Sequence, residues 1–440
     1  MRAGLIGLAI GLALADSSIV TLALPDVLRE FDVDVATVAW VLTSFNLALA
    51  VVALPAAFVA RRAPRAVFAT GTLVFAASSL VCGLAPSFGV LVGARAAQAV
   101  GAALLVTAAL GLLFATAGSG ARGVRVWVAA GIFGAALGPA AGGILTEALG
   151  WESIFLVQVP LALVPLVALR GLEFEKEGKS AAGRPALTAN AAVLLLSGGL
   201  VAALFLLVLL LVEGWGMSPA AAGLVVTAMP LAALLAARFA PRSGRLTIWI
   251  AAGIVLVGGG LASLAFLPRA GWAWTIAPQL LVGAGIGLAL AMLTERAVAS
   301  REEPVVHGAW TLAARHAGVV LGLLLLTPVL TAALDRNEDE AVRAGAAEVL
   351  DSDIPALDKL RLAQDVLDEV RRAGREGELP DVAAAFEERP DDEEYVALLS
   401  ALRDQLERAI TNAFSGPFLL AAALALSALV PAMLIREKPT

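Results

Sequence analysis

The segment that decides the fold is residues 3–24, which read AGLIGLAIGLALADSSIVTLAL. Asp16 is its single charged side chain. About twenty apolar residues cross the hydrocarbon core of a bilayer as a helix, so this segment predicts a membrane span. An ionised carboxylate at that depth costs at least about 2.5 kcal/mol and usually marks a functional pathway. Burial disfavours the charged form, so we expect Asp16 to bind and release protons near neutral pH.

The composition places the whole chain in the membrane class. Of its 440 residues, 60% are hydrophobic and 15% are charged, whereas soluble domains average about 25% charged residues. The first apolar segment is too long for the core of a signal peptide, and we expect it to be retained. Cys82 is the single cysteine, which excludes an internal disulfide and a cluster of thiolate ligands. We interpret Cys82 as a small packing residue.

Twelve apolar segments meet the length criterion for membrane spans. The predicted spans are residues 3–24, 37–60, 66–84, 89–115, 124–148, 153–169, 190–212, 218–237, 246–267, 271–294, 305–334 and 413–435. Arginine and lysine concentrate in alternate connections, as in 61–65, 122–125 and 170–184, whereas the opposite short connections carry only Arg29 and Arg269. This bias predicts that both termini are cytoplasmic. We expect most tryptophans, including Trp127, to lie at span ends as an interfacial belt.

The connection 170–189 is the longest on the predicted cytoplasmic side and divides the spans six and six. We therefore predict an N-terminal six-helix bundle over 1–169, a cytoplasmic linker over 170–189, and a C-terminal bundle over 190–334 and 413–440. Residues 335–412 remain as an acidic insert. Within 335–411, acidic side chains outnumber basic ones by 22 to 10. Because the insert follows the eleventh span, we expect it to be extracytoplasmic.

Helical spacing predicts that the insert is a cap of two or three amphipathic helices. The apolar positions on the two predicted faces are Leu360, Ala363, Leu367 and Val370, and then Leu399, Leu402, Leu406 and Ile410. Asp381, which follows a proline, predicts a helix start before Val382, Ala385 and Phe386. Disorder is the alternative, because charged runs occupy 375–378 and 391–394.

The fifth span contains the pattern Gly134-x-x-x-Gly138-Pro139-x-x-Gly142-Gly143. Small residues on one helix face allow neighbouring helices to approach closely, and proline is tolerated where neighbouring groups satisfy the backbone. Tight packing is the simplest interpretation of glycine pairs. The complete pattern is more specific, and it resembles the antiporter motif of the drug:proton antiporters in the major facilitator superfamily.

Further segments resemble the same family, in the branch that usually has fourteen spans. They are LADSSIVTLALP at 14–25, WVLTSF at 40–45, LVGARAAQAVG at 91–101, WESIFLVQVP at 151–160 and SPAAAG at 218–223. Three features depart from that pattern. Two central spans are absent, Gln158 stands where asparagine is frequent, and the loop after the second span has Arg61 and Pro64 in place of aspartate and glycine.

Ionisable side chains inside the spans are candidate functional groups. Arg95 in span 4 needs a partner, and Asp16 lies in the same outer half of the membrane. The alternative is a permanent network of Arg95 with backbone groups or Gln98. Arg315 and His316 in span 11 are the other candidates for proton coupling. We expect Arg315 to face the interior of the bundle and not lipid, and His316 is either a second proton site or a helix-packing residue. The polar groups expected along the substrate pathway are Ser18, Thr21, Asn46, Gln98 and Gln158.

The sequence thus predicts an all-α membrane protein with the major facilitator fold. The resemblance implies proton-coupled export of amphipathic or hydrophobic compounds across a bacterial plasma membrane by alternating access. The expected partners are that small substrate, protons, the lipid bilayer and an envelope partner at the insert. The sequence has no nucleotide-binding loop, metal-ligand cluster or nucleophile triad, so we expect no enzyme activity, cofactor, metal or nucleic acid. The alternatives are a transporter of lipids or lipid-linked precursors and a non-transporting scaffold or sensor.

Overall fold

The computed structural model describes residues 2–116, 120–170, 183–241, 246–298, 303–352, 354–376, 386 and 393–435. Every regular element in these ranges is helical. Most of the predicted linker lies outside them, as do Asp381, Val382 and Ala385 of the insert.

In the described part of the first half, the chain forms eight α-helices and one 3₁₀ helix. They are α1 (Arg2–Thr21), α2 (Leu24–Glu30), α3 (Val35–Val38), α4 (Trp40–Ala60), α5 (Pro64–Gly83), α6 (Phe88–Thr116), α7 (Gly120–Leu149), α8 (Ser153–Leu163) and the 3₁₀ helix Val164–Leu169. The turn before α4 is fixed by capping, because the backbone N–H of Thr37 donates to the Asp34 carboxylate at 2.6 Å.

In the second half, the described residues form ten α-helices and one π-helical turn. They are α9 (Leu187–Leu209), the π turn Leu210–Gly214, α10 (Pro219–Val226), α11 (Ala228–Phe239), α12 (Leu246–Leu264), α13 (Ala273–Val298), α14 (Pro304–Asp351), α15 (Ala356–Glu376), α16 (Glu393–Ala413), α17 (Ser415–Ser427) and α18 (Leu429–Met433).

The apolar segments fall where the sequence predicts spans. Within the described ranges, eleven helical segments are long and apolar enough to cross a membrane, and Ser153–Leu169 is a shorter twelfth. Pro160 and Pro165 lack a backbone N–H, which accounts for the change from α-helix to 3₁₀ helix in this segment. The predicted all-α membrane architecture is confirmed, with a sixth segment shorter than the rest.

The same packing order recurs in the two halves of the chain. In the first, α1 packs on α7, α4 and α5 pack on α6, and α5 packs on α8. In the second, α9 packs on α14, α11 and α12 pack on α13, and α12 packs on α17. These are equivalent pairs when the spans of each half are numbered one to six. The fold is therefore a structural repeat, as in many transporters. We call these bundles the N-terminal half and the C-terminal half.

The two halves contact each other along two seams, α4 against α14 and α7 against α10 and α11. Arg2 and Arg65 lie together, since both donate to carbonyls at the end of the 3₁₀ helix. We call this end of the bundle the arginine-rich end, and the opposite end the insert end. Ion pairs join the halves at both ends: Arg61 to Glu303 at 2.8 Å at the arginine-rich end, and Arg29 to Glu213 at 3.1 Å at the insert end.

The insert is helical and has a hydrophobic core of its own. Helix α14 runs unbroken from its membrane span to Asp351, and α16 leads into α17 almost without interruption. The core residues are Val349, Ile354, Leu362, Phe386, Tyr395, Leu398 and Leu402. The predicted buried face of α15 is wrong at Leu360, which is 62% exposed, whereas Leu362 is fully buried. Position 362 lies outside the predicted apolar face. Its burial depends on how α15 packs against α14 and α16, which the spacing along the helix does not determine.

Candidate functional site

A cluster of polar side chains lies inside the N-terminal half, surrounded by apolar residues. Its members come from four helices: Asp16 from α1, Ser79 from α5, Arg95 and Gln98 from α6, and Gln158 from α8. We call them the Asp16 cluster. All five are 0–1% exposed. The sequence prediction that Arg95 pairs with Asp16 agrees with this geometry.

The Asp16 carboxylate accepts from three side chains. Arg95 Nη1 donates to Oδ2 in a short ion pair, while Gln158 Nε2 and Gln98 Nε2 donate to Oδ1 at 3.0 and 3.3 Å. Gln98 also donates to the Ser79 hydroxyl at 2.8 Å. This saturation matters because a buried charge is tolerated only where hydrogen bonds replace water. The three donors therefore take the place of water around the Asp16 carboxylate.

The Arg95 guanidinium is bound on several sides. Its Nη1 also donates to Gln98 Oε1 at 2.5 Å, and its Nε donates to the Val41 carbonyl at 3.2 Å. Its Cζ lies 4.3 Å from the centre of the Phe45 ring, a cation–π contact. Nη2 is its one nitrogen without a hydrogen-bond partner among the described residues. The two alternatives left open by the sequence, an Asp16 partner and a network with Gln98, therefore both exist in one site.

A polar link connects this region to the C-terminal half. Asn46 Oδ1 lies 2.6 Å from His316 Nδ1, across the seam between α4 and α14. Asn46 Nδ2 donates to the Leu42 carbonyl at 2.8 Å and lies 3.5 Å from the hydroxyl of Ser17, the residue after Asp16. His316 is therefore placed by an asparagine of the opposite half, and its Nε2 is buried without a partner among the described residues.

A cavity lies between the two halves, separate from the Asp16 cluster. Leu14 of α1 lines it, although Asp16 is only two residues further along the same helix. Side chains two positions apart on an α-helix point in directions that differ by about 200°, so Leu14 and Asp16 face opposite sides of α1. The other large apolar side chains of the lining are Val128, Ile132, Val193, Leu290 and Leu312.

Four residues with polar side-chain groups also line this cavity: Trp127, Thr294, Thr311 and Arg315. Three of them are hydrogen-bonded within the protein. Trp127 Nε1 donates to the Val106 carbonyl at 3.3 Å, Thr294 to the Leu290 carbonyl at 2.8 Å, and Thr311 to Asn190 Oδ1 at 2.9 Å. Arg315 is the one charged lining residue within the described part of the chain.

The family model described as Major Facilitator Superfamily matches residues 6–332. The chain belongs to the major facilitator superfamily. This is a superfamily of membrane transporters and not of enzymes.

Curated relatives of this major facilitator protein match over part of their length. Multidrug resistance protein Stp of Mycobacterium tuberculosis is 38% identical over 164 residues, 36% of this chain and 30% of Stp. The tetracenomycin C resistance and export protein of Streptomyces glaucescens is 32% identical over 217 residues, 48% and 40% of the two chains. The puromycin resistance protein pur8 of Streptomyces alboniger is 37% identical over 198 residues, 44% and 39% of the two chains. The matches thus span less than half the length of these relatives.

Two solved structures share the major facilitator fold with this chain. Both are of a bacterial homologue of the human lysosomal transporter Spinster, in inward-facing unoccupied and inward-facing occupied conformations. The TM-scores are 0.64 and 0.65, the sequence identities 17% and 18%, and the coverage 100% of this chain and 98% of the other. At such identities the likeness establishes the fold alone.

The glycines of the fifth-span motif have two different neighbours in the major facilitator fold. A Cβ added to Gly134, Gly138 or Gly142 would overlap α1, at Gly11, Ser18 and Ile19 respectively. A Cβ added to Gly143 would overlap the Pro219 carbonyl of α10, in the other half. Pro139 contributes to the same seam, because its carbonyl lies against Gly223. The motif therefore serves packing within one half and between the halves.

The residues predicted along the pathway are distributed differently from the expectation. Ser18 and Thr21 donate to backbone carbonyls of their own helix, at 2.8 and 2.7 Å. Gln98 and Gln158 belong to the Asp16 cluster, and Asn46 forms the link to His316. None of these five lines the described cavity.

Sequence reasoning missed Trp127, which is 6% exposed and lines the cavity. We expected this side chain to lie at the membrane interface because the residue is near one end of its span. Packing against neighbouring helices buries it instead. The pairing of Arg61 with Glu303 was also missed, although the substitution of arginine for the family's aspartate pointed to this turn. Both charges were visible, but their contact depends on how the halves meet.

Proposed function

We propose that this protein is a secondary transporter that exports amphipathic or hydrophobic compounds by alternating access. The observation that carries the proposal is the cavity between the halves, which is lined mainly by apolar side chains from both of them. Its volume is about 40 Å³, so the halves must move apart to admit such a compound. An apolar compound bound in such a site would be recognised by its shape and by burial of its surface, and a few polar groups would set its orientation. The names of the relatives, which include drug resistance and export proteins, support the same conclusion.

Alternating access requires contacts between the halves to open at one end while they close at the other. The ion pairs Arg61–Glu303 and Arg29–Glu213 are suited to this role, since each joins the halves at a different end. We propose that the arginine-rich end faces the cytoplasm of a bacterial cell, in keeping with the distribution of basic residues near span ends.

We further propose that proton binding at Asp16 drives the cycle. A proton on Asp16 would remove the charge that holds Arg95 and free both glutamines to rearrange. Movement of α1 would then displace Leu14 in the cavity wall. It would also reach the C-terminal half through the polar contacts of Ser17 with Asn46 and of Asn46 with His316. Asp16 is fully buried, so proton access itself requires a conformational change.

The test is flux in sealed proteoliposomes with an imposed pH gradient and a panel of amphipathic fluorescent compounds. We expect wild-type protein to move at least one compound at a rate that depends on the gradient. Asp16→Asn should abolish the gradient dependence, because the amide cannot release a proton. Glu295→Gln is the matched control, since Glu295 is an exposed carboxylate at the end of α13.

Two results would count against these proposals separately. Gradient-driven flux at the wild-type rate in Asp16→Asn would remove the role of Asp16 in coupling. Absence of flux for the whole panel, with folded and correctly reconstituted protein, would favour a scaffold or sensor. A lipid-like substrate is the second candidate, favoured by the folded insert at one end of the bundle.

A further inference from the structure

Arg315 has no ion-pair or hydrogen-bond partner among the described residues, although it lies within the membrane-spanning part of α14. The contrast with Arg95 is direct, because Arg95 is neutralised by Asp16 and bound on several sides. An arginine in hydrocarbon is costly and is ordinarily paired with a carboxylate or a carbonyl. Arg315 therefore has donors and a positive charge that no described protein group uses.

The position of Arg315 directs that charge into the cavity. Its side chain is part-buried and belongs to the cavity lining. One of its terminal nitrogens, Nη1, lies 3.9 Å from where a Cβ on Gly131 of α7 would be. The side chain thus starts in the C-terminal half and reaches a helix of the N-terminal half. A ligand bound to it would contact both halves.

The remaining polar groups of the lining do not compete for that ligand. The side chains of Trp127, Thr294 and Thr311 are already hydrogen-bonded to protein groups. The cavity therefore offers an apolar wall with one cationic group that has free donors. A guanidinium binds carboxylate, phosphate or sulfonate oxygens by two parallel hydrogen bonds, and it repels cations.

We propose that the cavity selects amphipathic anions, with the apolar body against the wall and the acidic group on Arg315. This inference rests on the proposed transport function and narrows its substrate class. It also predicts that cationic amphiphiles are poor ligands. Because Arg315 reaches across from one half to the other, an anion bound there would bias the relative position of the halves, which is a requirement for coupling binding to access.

The experiment compares three probes with the same apolar body: pyrenebutyric acid, its methyl ester and the corresponding pyrenebutylamine. Binding to the full chain in nanodiscs is measured by equilibrium dialysis. For wild-type protein we expect the acid to bind at least about tenfold more tightly than the ester, and the amine more weakly than both. In Arg315→Gln the preference for the acid over the ester should disappear, while affinity for the ester stays within about twofold.

Two variants guard against a trivial loss of structure. Arg315→Lys keeps the charge and should retain part of the preference for the acid, since a lysine binds an anion as a point charge. Arg125→Gln removes an exposed arginine of α7 outside the cavity and should keep the wild-type preference. Equal wild-type affinity for acid and ester, or an unchanged preference in Arg315→Gln, would overturn the proposal. Selective acid binding without flux would leave this inference standing while the transport proposal fails.

Discussion

At the scale of single residues, the Asp16–Arg95 pair is a contact of two opposite charges inside the N-terminal half. Both side chains are fully buried, and each is the nearest opposite charge of the other. Removing one partner of such a pair leaves an uncompensated charge, which typically costs about 3–5 kcal/mol. Replacing both by apolar residues can be nearly neutral. The pair therefore need not add net stability relative to apolar residues, which suits the proton-dependent switch proposed above.

We accordingly expect Arg95→Leu to destabilise the protein by several kcal/mol, of the order of 3–5 kcal/mol. The double variant Asp16→Leu with Arg95→Leu should recover most of that loss, because no charge is left unpaired. Thermal unfolding of the three proteins in the same detergent measures this. If the double variant is less stable than Arg95→Leu, the pair contributes net stability and the interpretation as a switch loses its energetic support. Transport should be absent in both variants.

How far the sequence predicts this site depends on what decides each contact. The Asp16–Arg95 pairing follows from depth in the membrane, because two opposite charges in the same half of the bilayer have few other partners. An orientation of Arg315 toward the bundle interior was expected, but its approach to α7 does not follow from the sequence, since the rotation of a helix about its axis is set by packing against its neighbours. Arg315 and His316 are adjacent in sequence yet face different helices, α7 and α4.

At the scale of elements, α7 packs both within its own half and against the other half. One part of its glycine face packs on α1 of its own half, while Gly143 packs on α10 of the other half. The sequence motif identified the helix and its need for close contacts. It did not separate the glycines of the internal contact from the glycine at the seam, because both lie in one ten-residue pattern.

Gly143→Ala should therefore weaken the seam between the halves at the insert end. The added methyl group would overlap the Pro219 carbonyl, and overpacking of this kind costs about 1–3 kcal/mol. We expect slower transport and a lower unfolding temperature. Gly93→Ala is the matched control, since no atom lies within 4 Å of the added Cβ, and alanine in place of a helical glycine gains up to about 1 kcal/mol. If Gly143→Ala transports at the wild-type rate, the contact between α7 and α10 tolerates the added methyl group.

At the scale of the whole molecule, the insert and the membrane body are two separate hydrophobic cores on shared helices. Among the residues that the structure describes, Leu406 is the one side chain that packs against both the insert core and the large core of the two halves. Spacing along the chain predicted the helices and singled out Phe386, but the core of the insert also includes Ile354, which lies between α14 and α15. Residues in connections carry no periodicity, so their burial could not be read from the sequence.

Replacing residues 349–404 by a short glycine–serine turn should leave the membrane body folded. The cut points are neighbours, because Gln405 Nε2 donates to Glu348 Oε2 at 2.9 Å, and the deletion removes the whole insert core. We expect unchanged unfolding of the body and unchanged flux of small amphipathic anions. Loss of flux for lipid-like probes alone would support the second candidate function. If the membrane body of the deletion variant unfolds at a lower temperature than in the wild-type protein, the insert is part of its fold.

Helix α14 has one further consequence for how this protein can be observed. Beyond its membrane span it continues without a break through residues 335–351, a rod of about 25 Å at 1.5 Å per residue. A tilt of the eleventh span by about 10° would sweep the tip of that rod through about 4 Å. The extension of α14 thus moves with its membrane span. A spectroscopic label on the insert can therefore report relative movement of the halves from outside the bilayer.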